Sequence, residues 1–247
     1  MAYSDFAFVY DSLMGDVDYT RRTEYLLKLF KKFGAMPSLL LDVACGTGGF
    51  SNCFAKKGIE VIGTDMSEEM LSVARENSAK LGLDVLYLCQ KADELDLYGT
   101  VDGAVCCMDS INHITLKPSL LTAFKKISLF LEKGKLFIFD VNTPYKHKNV
   151  LGNNTFVLEE EGIFCVWQNE YNSKKCMTDI SLDFFCEEDG KYIRSCEEFS
   201  ERAYTQEELK RLLSSAGFRV EGVFGDLSLK KPKENEERVF FVCRKVS

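Results

Sequence analysis

The chain has 247 residues, of which 46% are hydrophobic and 28% charged, a composition typical of globular proteins. Its formal net charge of -7 argues against general binding to nucleic-acid backbones, which requires clustered lysine and arginine. The first ten residues lack the features of a secretory signal, and no apolar run approaches the roughly 20 residues needed to span a bilayer. The 10 cysteines include no Cys-x-x-Cys pair, which predicts reduced thiols, no metal site and a cytoplasmic location.

The first part of the chain predicts an α/β arrangement. An amphipathic helix is expected over residues 19–33, because its apolar residues recur at helical spacing. Helices are then predicted over residues 49–57, 67–82 and 118–133. They alternate with five apolar, strand-like runs, at residues 38–44, 59–64, 84–89, 101–108 and 135–141. This alternation is typical of a doubly wound, mostly parallel sheet.

The pattern changes after the fifth strand. Four strand-like segments with no helix between them predict antiparallel hairpins, and a capping box from Thr205 to Glu208 then starts a last helix before two final strands. We therefore expect a helical cap over residues 1–37, an α/β domain over 38–147 and 202–247, and an inserted β subdomain over 148–201 that covers the substrate. Six aromatic residues of the insertion either line an acceptor pocket or form its own core or a dimer interface: Phe156, Phe164, Trp167, Tyr171, Phe184 and Phe185.

A glycine-rich turn follows the first strand. Gly46 and Gly48 allow the backbone to approach a bound ligand where a Cβ atom would collide. The spacing Gly46-x-Gly48-x-x-Ser51 is close to a dinucleotide fingerprint, and Asp65 at the end of the second strand suits a ribose diol of either NAD or S-adenosylmethionine (SAM). Asp42 favours SAM, because a carboxylate beside the turn suits an ammonium group better than a pyrophosphate.

The segment Asp42-Val43-Ala44-Cys45-Gly46-Thr47-Gly48 resembles motif I of class I (Rossmann-like) SAM-dependent methyltransferases. The order of motifs, from Tyr10-Asp11-Ser12-Leu13-Met14 to the last strand, is similar to that of small bacterial-type members. The resemblance implies a seven-stranded sheet whose last strand is antiparallel. It also implies that SAM is the cofactor and that an N or O acceptor is methylated.

The resemblance also implies a set of cofactor-binding residues. In the family, the acid after the second strand binds the ribose (here Asp65), the next side chain packs on adenine (Met66), and an acid after the third strand contacts the adenine amino group (Asp93). The remaining expected cofactor residues are Tyr10, Arg21, Asp42, Ala44, Gly46, Gly48, Ala92 and Cys107, whose carbonyl would accept from the SAM ammonium. Arg21 or Arg22 would pair with the SAM carboxylate unless both lie on a solvated helix face. Tyr10 either closes over the methionine moiety or belongs to an aromatic N-terminal core.

Residues 107–113 resemble the corresponding stretch of small-molecule N-methyltransferases such as the glycine enzyme. That similarity places Asp109 at the acceptor and His113 near the methyl donor, and both are candidate general bases. His113 is read equally well as a helix-start histidine bonded to backbone. We expect a small-molecule acceptor, no nucleic acid, no membrane, and a monomer or homodimer. Two alternatives stay open: an NAD-dependent oxidoreductase, and a SAM-binding sensor or partner protein without catalysis.

Overall fold

The computed structural model describes residues 17–160 and 162–247. Six α-helices lie in these ranges: α1 (Tyr19–Lys32), α2 (Gly49–Ala55), α3 (Glu68–Lys80), α4 (Ser110–His113), α5 (Lys117–Phe130) and α6 (Gln206–Ser215). The strands that form the main sheet are β1 (Leu39–Val43), β2 (Glu60–Asp65), β3 (Leu86–Cys89), β4 (Val101–Cys106), β5 (Leu131–Asn142), β10 (Phe218–Gly225) and β11 (Arg238–Lys245). Four more strands form a second sheet: β6 (Thr155–Glu160), β7 (Ile163–Asn172), β8 (Met177–Glu188) and β9 (Lys191–Arg202).

The main sheet has the strand order β10-β11-β5-β4-β1-β2-β3. Its first five strands pair in parallel, whereas β11 pairs antiparallel with both β5 and β10. The predicted seven-stranded, doubly wound sheet with an antiparallel last strand is therefore confirmed. The carboxyl ends of β1, β2, β3 and β4 meet at one edge, where ligands bind in open α/β sheets.

Alternating side chains bury the two faces of this sheet under different helices. On β1, Leu40 packs with α1 and α2, whereas Leu41 packs with α5 and α6. The same alternation continues on β5 and β11: Phe139 and Phe241 stack 5.0 Å apart on the α5 side, and Phe240 faces α1. Strands buried on both faces read as near-continuous apolar runs, which is why the sequence shows them clearly.

One helix is shorter than its sequence predicts. Residues 118–133 were expected to be helical up to the stop at Gly134, yet α5 ends at Phe130. Leu131 already pairs with Val101, and the pairing of β5 with β4 shifts register before it resumes at Leu136. Sheet pairing of a buried leucine therefore overrides the helical tendency of the last three residues.

The second sheet is antiparallel, in the order β6-β7-β8-β9, with a tight turn at Asp189-Gly190 joining β8 and β9. Both turn residues have positive φ, 51° and 73°, as a two-residue hairpin requires. The sheet has a small core of its own, formed by Cys165, Ile180, Leu182 and Phe184. A π-helical turn (Lys146–Leu151) connects it to β5. None of the helices among residues 17–160 and 162–247 is long and apolar enough to cross a bilayer.

Candidate cofactor and acceptor site

A cavity of about 280 Å³ opens at the carboxyl ends of β1, β2 and β4. Most of the expected cofactor residues line it: Asp42, Ala44, Gly46, Asp65, Met66, Ala92, Asp93 and Cys107. His113 also lines it, from the end of α4. The topology thus collects side chains from the loops that follow β1, β2, β3 and β4, which are far apart in the chain.

The glycine-rich turn is held by Asp65. One carboxylate oxygen of Asp65 accepts a hydrogen bond from the Gly46 amide at 2.9 Å, and the other accepts from the Ser67 amide at 2.9 Å. Both are charge-assisted bonds, which are stronger than neutral ones. Asp65 therefore organises the loop as well as facing the cavity.

Gly48 is required by the fold of the turn rather than by contact with the cavity. Its φ is +80°, in the left-handed region that favours glycine, and it precedes the first turn of α2. A Cβ atom there would overlap the hydroxyl of Tyr87. Gly48 is not among the residues that line the cavity, so its contribution to a ligand is through loop shape.

Asp42 is a buried carboxylate at the cavity wall. Its side chain is 1% exposed and accepts a hydrogen bond from the Ser51 hydroxyl at 2.6 Å. Burial raises the pKa of Asp42 to about 7, and the nearby charge of Asp65 adds to this, while the bond from Ser51 opposes it. A carboxylate in this state is stabilised by a cationic group brought beside it.

Another part of the cavity wall carries an exposed apolar side chain. Met66 is 58% exposed although it lines the cavity, so its side chain is free to pack on a flat ligand. Asp93 and Ala92, which follow β3, also line the cavity. An apolar platform beside a carboxylate suits a purine base that carries an amino group.

Helix α1 supplies a residue that the sequence does not reveal as part of the site. Tyr19 lines the cavity and packs edge-on against Phe50, with ring centroids 5.2 Å apart. Gly49 leaves room for this ring, since a Cβ atom there would come within 2.6 Å of it. The apolar pattern of the amphipathic helix does not indicate that Tyr19 reaches the cavity.

The remaining N-terminal candidates are not brought to the cavity among the described residues. Arg21 is exposed and its side chain does not line the cavity; its backbone amide donates to the side chain of Asp18, which caps α1. Arg22 is paired with Asp226 at 3.0 Å. Tyr10 and the Tyr10–Met14 motif lie outside the described residues.

Asp109 lies at the centre of a buried ion-pair network. One of its oxygens accepts a hydrogen bond from Arg238 at 2.6 Å and the other from Asn142 at 2.8 Å. Arg238 also pairs with Asp140, whose carboxylate accepts from the amides of Met108 and Asp109. Although burial alone would raise it, the pKa of Asp109 falls to about 2, because the Arg238 guanidinium stabilises its charge.

This network decides what Asp109 can do chemically. A carboxylate with a pKa near 2 and both oxygens occupied is a poor proton acceptor at neutral pH. It also holds Asp109 in a left-handed conformation, with φ of 52°, immediately before α4. Asp109 therefore fixes the position of α4, the helix that carries His113 to the cavity.

His113 is the titratable group that reaches the cavity from this side. Its side chain is 40% exposed, and its ring stacks on Phe199 of β9 with centroids 5.0 Å apart. Its Nε2 lies 3.5 Å from the carboxylate of Glu201. Burial lowers the pKa of His113, opposed by the charges of Asp109 and Asp65, so the ring is neutral near pH 7. The alternative of a helix-start histidine bonded to backbone does not match, because His113 ends α4.

Asp109, His113 and Glu201 offer ligand atoms that all lie within 4.8 Å of one another. That spacing would suit a metal ion, yet both Asp109 oxygens are already engaged by Arg238 and Asn142. The absence of a metal site stays a prediction.

Arg238, Asp140 and Glu201 are functional candidates that sequence reasoning misses. Each lies inside or at the edge of a strand, where one charged residue looks like a solvent-facing position. A weak signal existed, since Asp140 interrupts the apolar run of β5 and is 1% exposed. A buried charge requires a partner, but the sequence does not say which.

A doubly wound sheet with a glycine-rich turn, an acid at the end of β2 and a buried acid at the end of β1 defines a nucleoside-cofactor site of the Rossmann-like class. The residues fit SAM in particular: Asp65 suits the ribose, Met66 the adenine, and Asp42 the amino acid ammonium.

Comparisons with known proteins identify the family. Residues 40–134 match the family model described as a methyltransferase domain. YqeM of Bacillus subtilis (strain 168), which carries the name of a methyltransferase, is 32% identical over 246 residues, 99% of this chain and 98% of that protein. The crystal structure of a SAM-dependent methyltransferase from Clostridium acetobutylicum ATCC 824 is similar at a TM-score of 0.90 and 31% identity, over 99% of both chains. The chain belongs to the SAM-dependent methyltransferases.

A more distant structure shares the fold alone. SAM-bound CalS10 of Micromonospora echinaspora, an amino pentose methyltransferase, is 17% identical with a TM-score of 0.74, over 93% of this chain and 92% of that one. The sequence-based prediction of a SAM-dependent methyltransferase is confirmed, with SAM as the cofactor. NAD-dependent oxidation is correspondingly disfavoured.

Proposed function

We propose that this methyltransferase modifies a nitrogen or oxygen atom of a small molecule, which enters between the main sheet and the four-stranded sheet. The carrying observation is that one cavity is lined by the carboxylates of Asp65 and Asp42 and by the imidazole of His113. Bound SAM supplies a methyl group already activated by its sulfonium. The protein then has to align the acceptor and exclude water.

The cofactor assignments rest on position and chemistry. Asp65 binds the ribose hydroxyls, Met66 packs on adenine, and Asp93 accepts from its amino group. Asp42 and the Cys107 carbonyl receive the ammonium, and the backbone of Ala44 and Gly46 forms the floor. Gly48 acts through the shape of the loop, while Tyr10 and Arg21 stay predictions.

We assign different roles to the two candidate acceptor-side residues. His113 lines the cavity and is neutral near pH 7, so it is the general base for an acceptor that must lose a proton. Asp109 is held by Arg238 and Asn142, and it acts by positioning α4.

We assign the role of a lid to the four-stranded sheet, and two contacts support this. Phe199 of β9 stacks on His113, and the Arg202 carbonyl accepts a hydrogen bond from Asn112 of α4. These contacts with α4 support a role for the inserted residues in binding the acceptor. The name of CalS10, an amino pentose methyltransferase, supports a small amine among the acceptors. Cys165 and Phe184 pack in the core of the lid itself, which favours the core role expected for part of its aromatic set.

Calorimetric titration of the protein with SAM, S-adenosylhomocysteine and NAD tests the cofactor assignments. We expect micromolar binding of the first two and none of NAD. Asp65→Ala removes the acceptor of two backbone amides and of the ribose, and should weaken SAM binding at least about 30-fold, the equivalent of ~2 kcal/mol. Asp84→Ala, an exposed acid before β3, is the matched control and should bind normally.

Two outcomes would contradict the proposal. If Asp65→Ala binds SAM as well as Asp84→Ala does, the cofactor assignment is wrong. If SAM binds but no primary amine or phenol from a small-molecule panel yields S-adenosylhomocysteine, the small-molecule acceptor is wrong and the non-catalytic alternative gains support.

A further inference from the structure

Glu201, on β9, is a buried carboxylate that lies between the two histidines of the chain. It is 4% exposed, with one oxygen 3.5 Å from His113 Nε2 and the other 3.7 Å from His147 Nε2. Within residues 17–160 and 162–247, no lysine or arginine lies within ion-pair distance of this carboxylate. A buried acid whose ion-pair partners are both imidazoles is unusual, since a buried carboxylate normally pairs with a lysine or arginine.

The two histidines differ in what they can reach. His147 is fully buried, its Nδ1 lies 2.8 Å from the Thr178 hydroxyl, and its Nε2 lies 3.3 Å from the Asn112 amide nitrogen. His113 lines the cofactor cavity, and its Nδ1 has no hydrogen-bond partner within the part of the chain that the structure describes. His113 is therefore the imidazole through which Glu201 can act on a ligand.

The other charged groups around Glu201 already have ion-pair or hydrogen-bond partners. Asp109 is paired with Arg238, and Lys146 donates a hydrogen bond to the Asn142 side chain at 3.0 Å. Asn142 in turn donates to Glu201 at 3.5 Å, a weak bond. Glu201 thus keeps the capacity to accept a further hydrogen bond, and His113, which lines the cavity, has its Nε2 within ion-pair distance of this carboxylate.

Resting on the proposed function, we propose that Glu201 is the positioning residue for His113. Its carboxylate holds the imidazole as the Nε2–H tautomer, so that the Nδ1 lone pair faces the acceptor. In the transfer, the acceptor lone pair forms the new bond to the methyl carbon, and the pair of the broken C–S bond stays on sulfur. The acceptor proton moves to His113 Nδ1, and the resulting imidazolium is neutralised by Glu201.

The electrostatics of the site make this arrangement dependent on pH. Burial raises the pKa of Glu201 to about 8, and the charge of Asp109 adds to this, while Asn142, Lys146 and Arg238 oppose it. The carboxylate form becomes the major one only above that pH. Turnover should therefore rise with pH towards about 8 in the wild type.

The tautomer of His113 can be measured without any acceptor. The chain contains only two histidines, so a ¹⁵N-labelled sample gives two imidazole patterns in long-range ¹H–¹⁵N correlation spectra. His113→Gln removes one pattern and assigns both. At pH 8.5 we expect His113 to prefer the Nε2–H form by about tenfold or more in the wild type.

Two variants separate positioning from a merely structural effect. Glu201→Gln keeps the shape but loses the charge, and should reduce the preference of His113 for the Nε2–H form while SAM binding stays within about twofold. Glu198→Gln, an exposed glutamate on the same strand, is the control and should leave the spectrum unchanged. With an identified acceptor, Glu201→Gln should also lose the rise of kcat/KM towards pH 8, and Glu201→Asp should restore part of it.

The outcomes are distinct from those of the proposed function. An Nδ1–H tautomer in the wild-type protein overturns the proposal without any variant. An unchanged His113 tautomer in Glu201→Gln also overturns it. Failure of the wild type to bind SAM would instead overturn the cofactor assignment, because the tautomer is measured on the protein without ligand.

Discussion

Replacement of Arg238 by methionine gives the sharpest test of the network that surrounds Asp109. The change keeps much of the side-chain length but removes the cation that pairs with Asp109 at 2.6 Å and with Asp140. All three side chains are largely buried, with relative exposures of 10%, 16% and 1%. Two carboxylates are then left without their cation in a site with little access to water.

The magnitude follows from burial and from the pKa of Asp109. Removing one member of a buried pair costs about 3–5 kcal/mol, because the other charge remains unpaired. The pKa of Asp109 is lowered from 3.8 to about 2, equivalent to roughly 2 kcal/mol for this carboxylate alone. Asp140 loses the same cation, so we expect Arg238→Met to lower the free energy of unfolding by about 3–5 kcal/mol at pH 7.

The sign of the pH dependence is defined as well. An acid with a lowered pKa stabilises the fold above its unfolded pKa, and this contribution is lost as pH falls through the folded pKa. In Arg238→Met, burial instead raises the pKa of Asp109, so its carboxyl group takes up a proton in mildly acidic solution. The stability difference from wild type should therefore shrink between pH 7 and pH 5.

Urea unfolding followed by circular dichroism at pH 7 and pH 5 measures both effects. Arg219→Met is the matched control, because Arg219 pairs with Glu221 at 2.8 Å but is 62% exposed, and should cost less than about 1 kcal/mol. A loss below about 1 kcal/mol in Arg238→Met, or one of equal size at both pH values, would refute this account of the network.

Three further predictions concern the glycine-rich turn, the second histidine and the buried acid of the cavity. Gly48→Ala should destabilise the protein by ~2–4 kcal/mol in thermal or urea unfolding, because left-handed strain adds to overlap with Tyr87. Gly34→Ala has the strain without the overlap and should cost ~1 kcal/mol. Burial lowers the pKa of His147 to about 4, so the free energy of unfolding should fall by up to roughly 3 kcal/mol as pH drops from 6.5 to 4. His147→Asn should reduce this dependence on pH. Because burial raises the pKa of Asp42 to about 7, calorimetry should show SAM binding tighten between pH 6 and pH 8, whereas Asp42→Asn should bind about tenfold or more weakly at pH 8 and lose this trend.

Each of these predictions has an outcome that contradicts it. Equal losses in the two glycine variants would show that Tyr87 is not the obstacle at Gly48. If His147→Asn loses as much stability between pH 6.5 and pH 4 as the wild type does, the pH dependence comes from other groups. If SAM binding to the wild type does not change with pH, the assignment of Asp42 as the partner of the ammonium group is wrong.

The sequence by itself determines the local parts of this protein. Gly46 and Gly48 predict a turn with left-handed backbone. Asp42 and Asp65 lie at the ends of two neighbouring strands beside this turn. The cofactor-binding part of the site is therefore predictable from short sequence patterns. The continuous apolar runs of the parallel strands and the capping box at Thr205 can also be recognised from short stretches of sequence, because the interactions that produce them act within a few residues. The structure places Asp42, Gly46 and Asp65 on one cavity as expected.

The contacts around Asp109 and His113 were decided by the tertiary structure. Asp109 and Arg238 are separated by 129 positions in the chain, and they meet because β11 lies beside β5 in the sheet. His113 and Glu201 meet because the four-stranded sheet packs against α4. Chain position gives no measure of such distances, and the burial that sets the pKa of Asp109 near 2 and that of Glu201 near 8 exists only once both sheets are assembled. The family resemblance therefore identifies Asp109 and His113 as candidate bases, whereas packing pairs Asp109 with Arg238 and places His113 at the cavity.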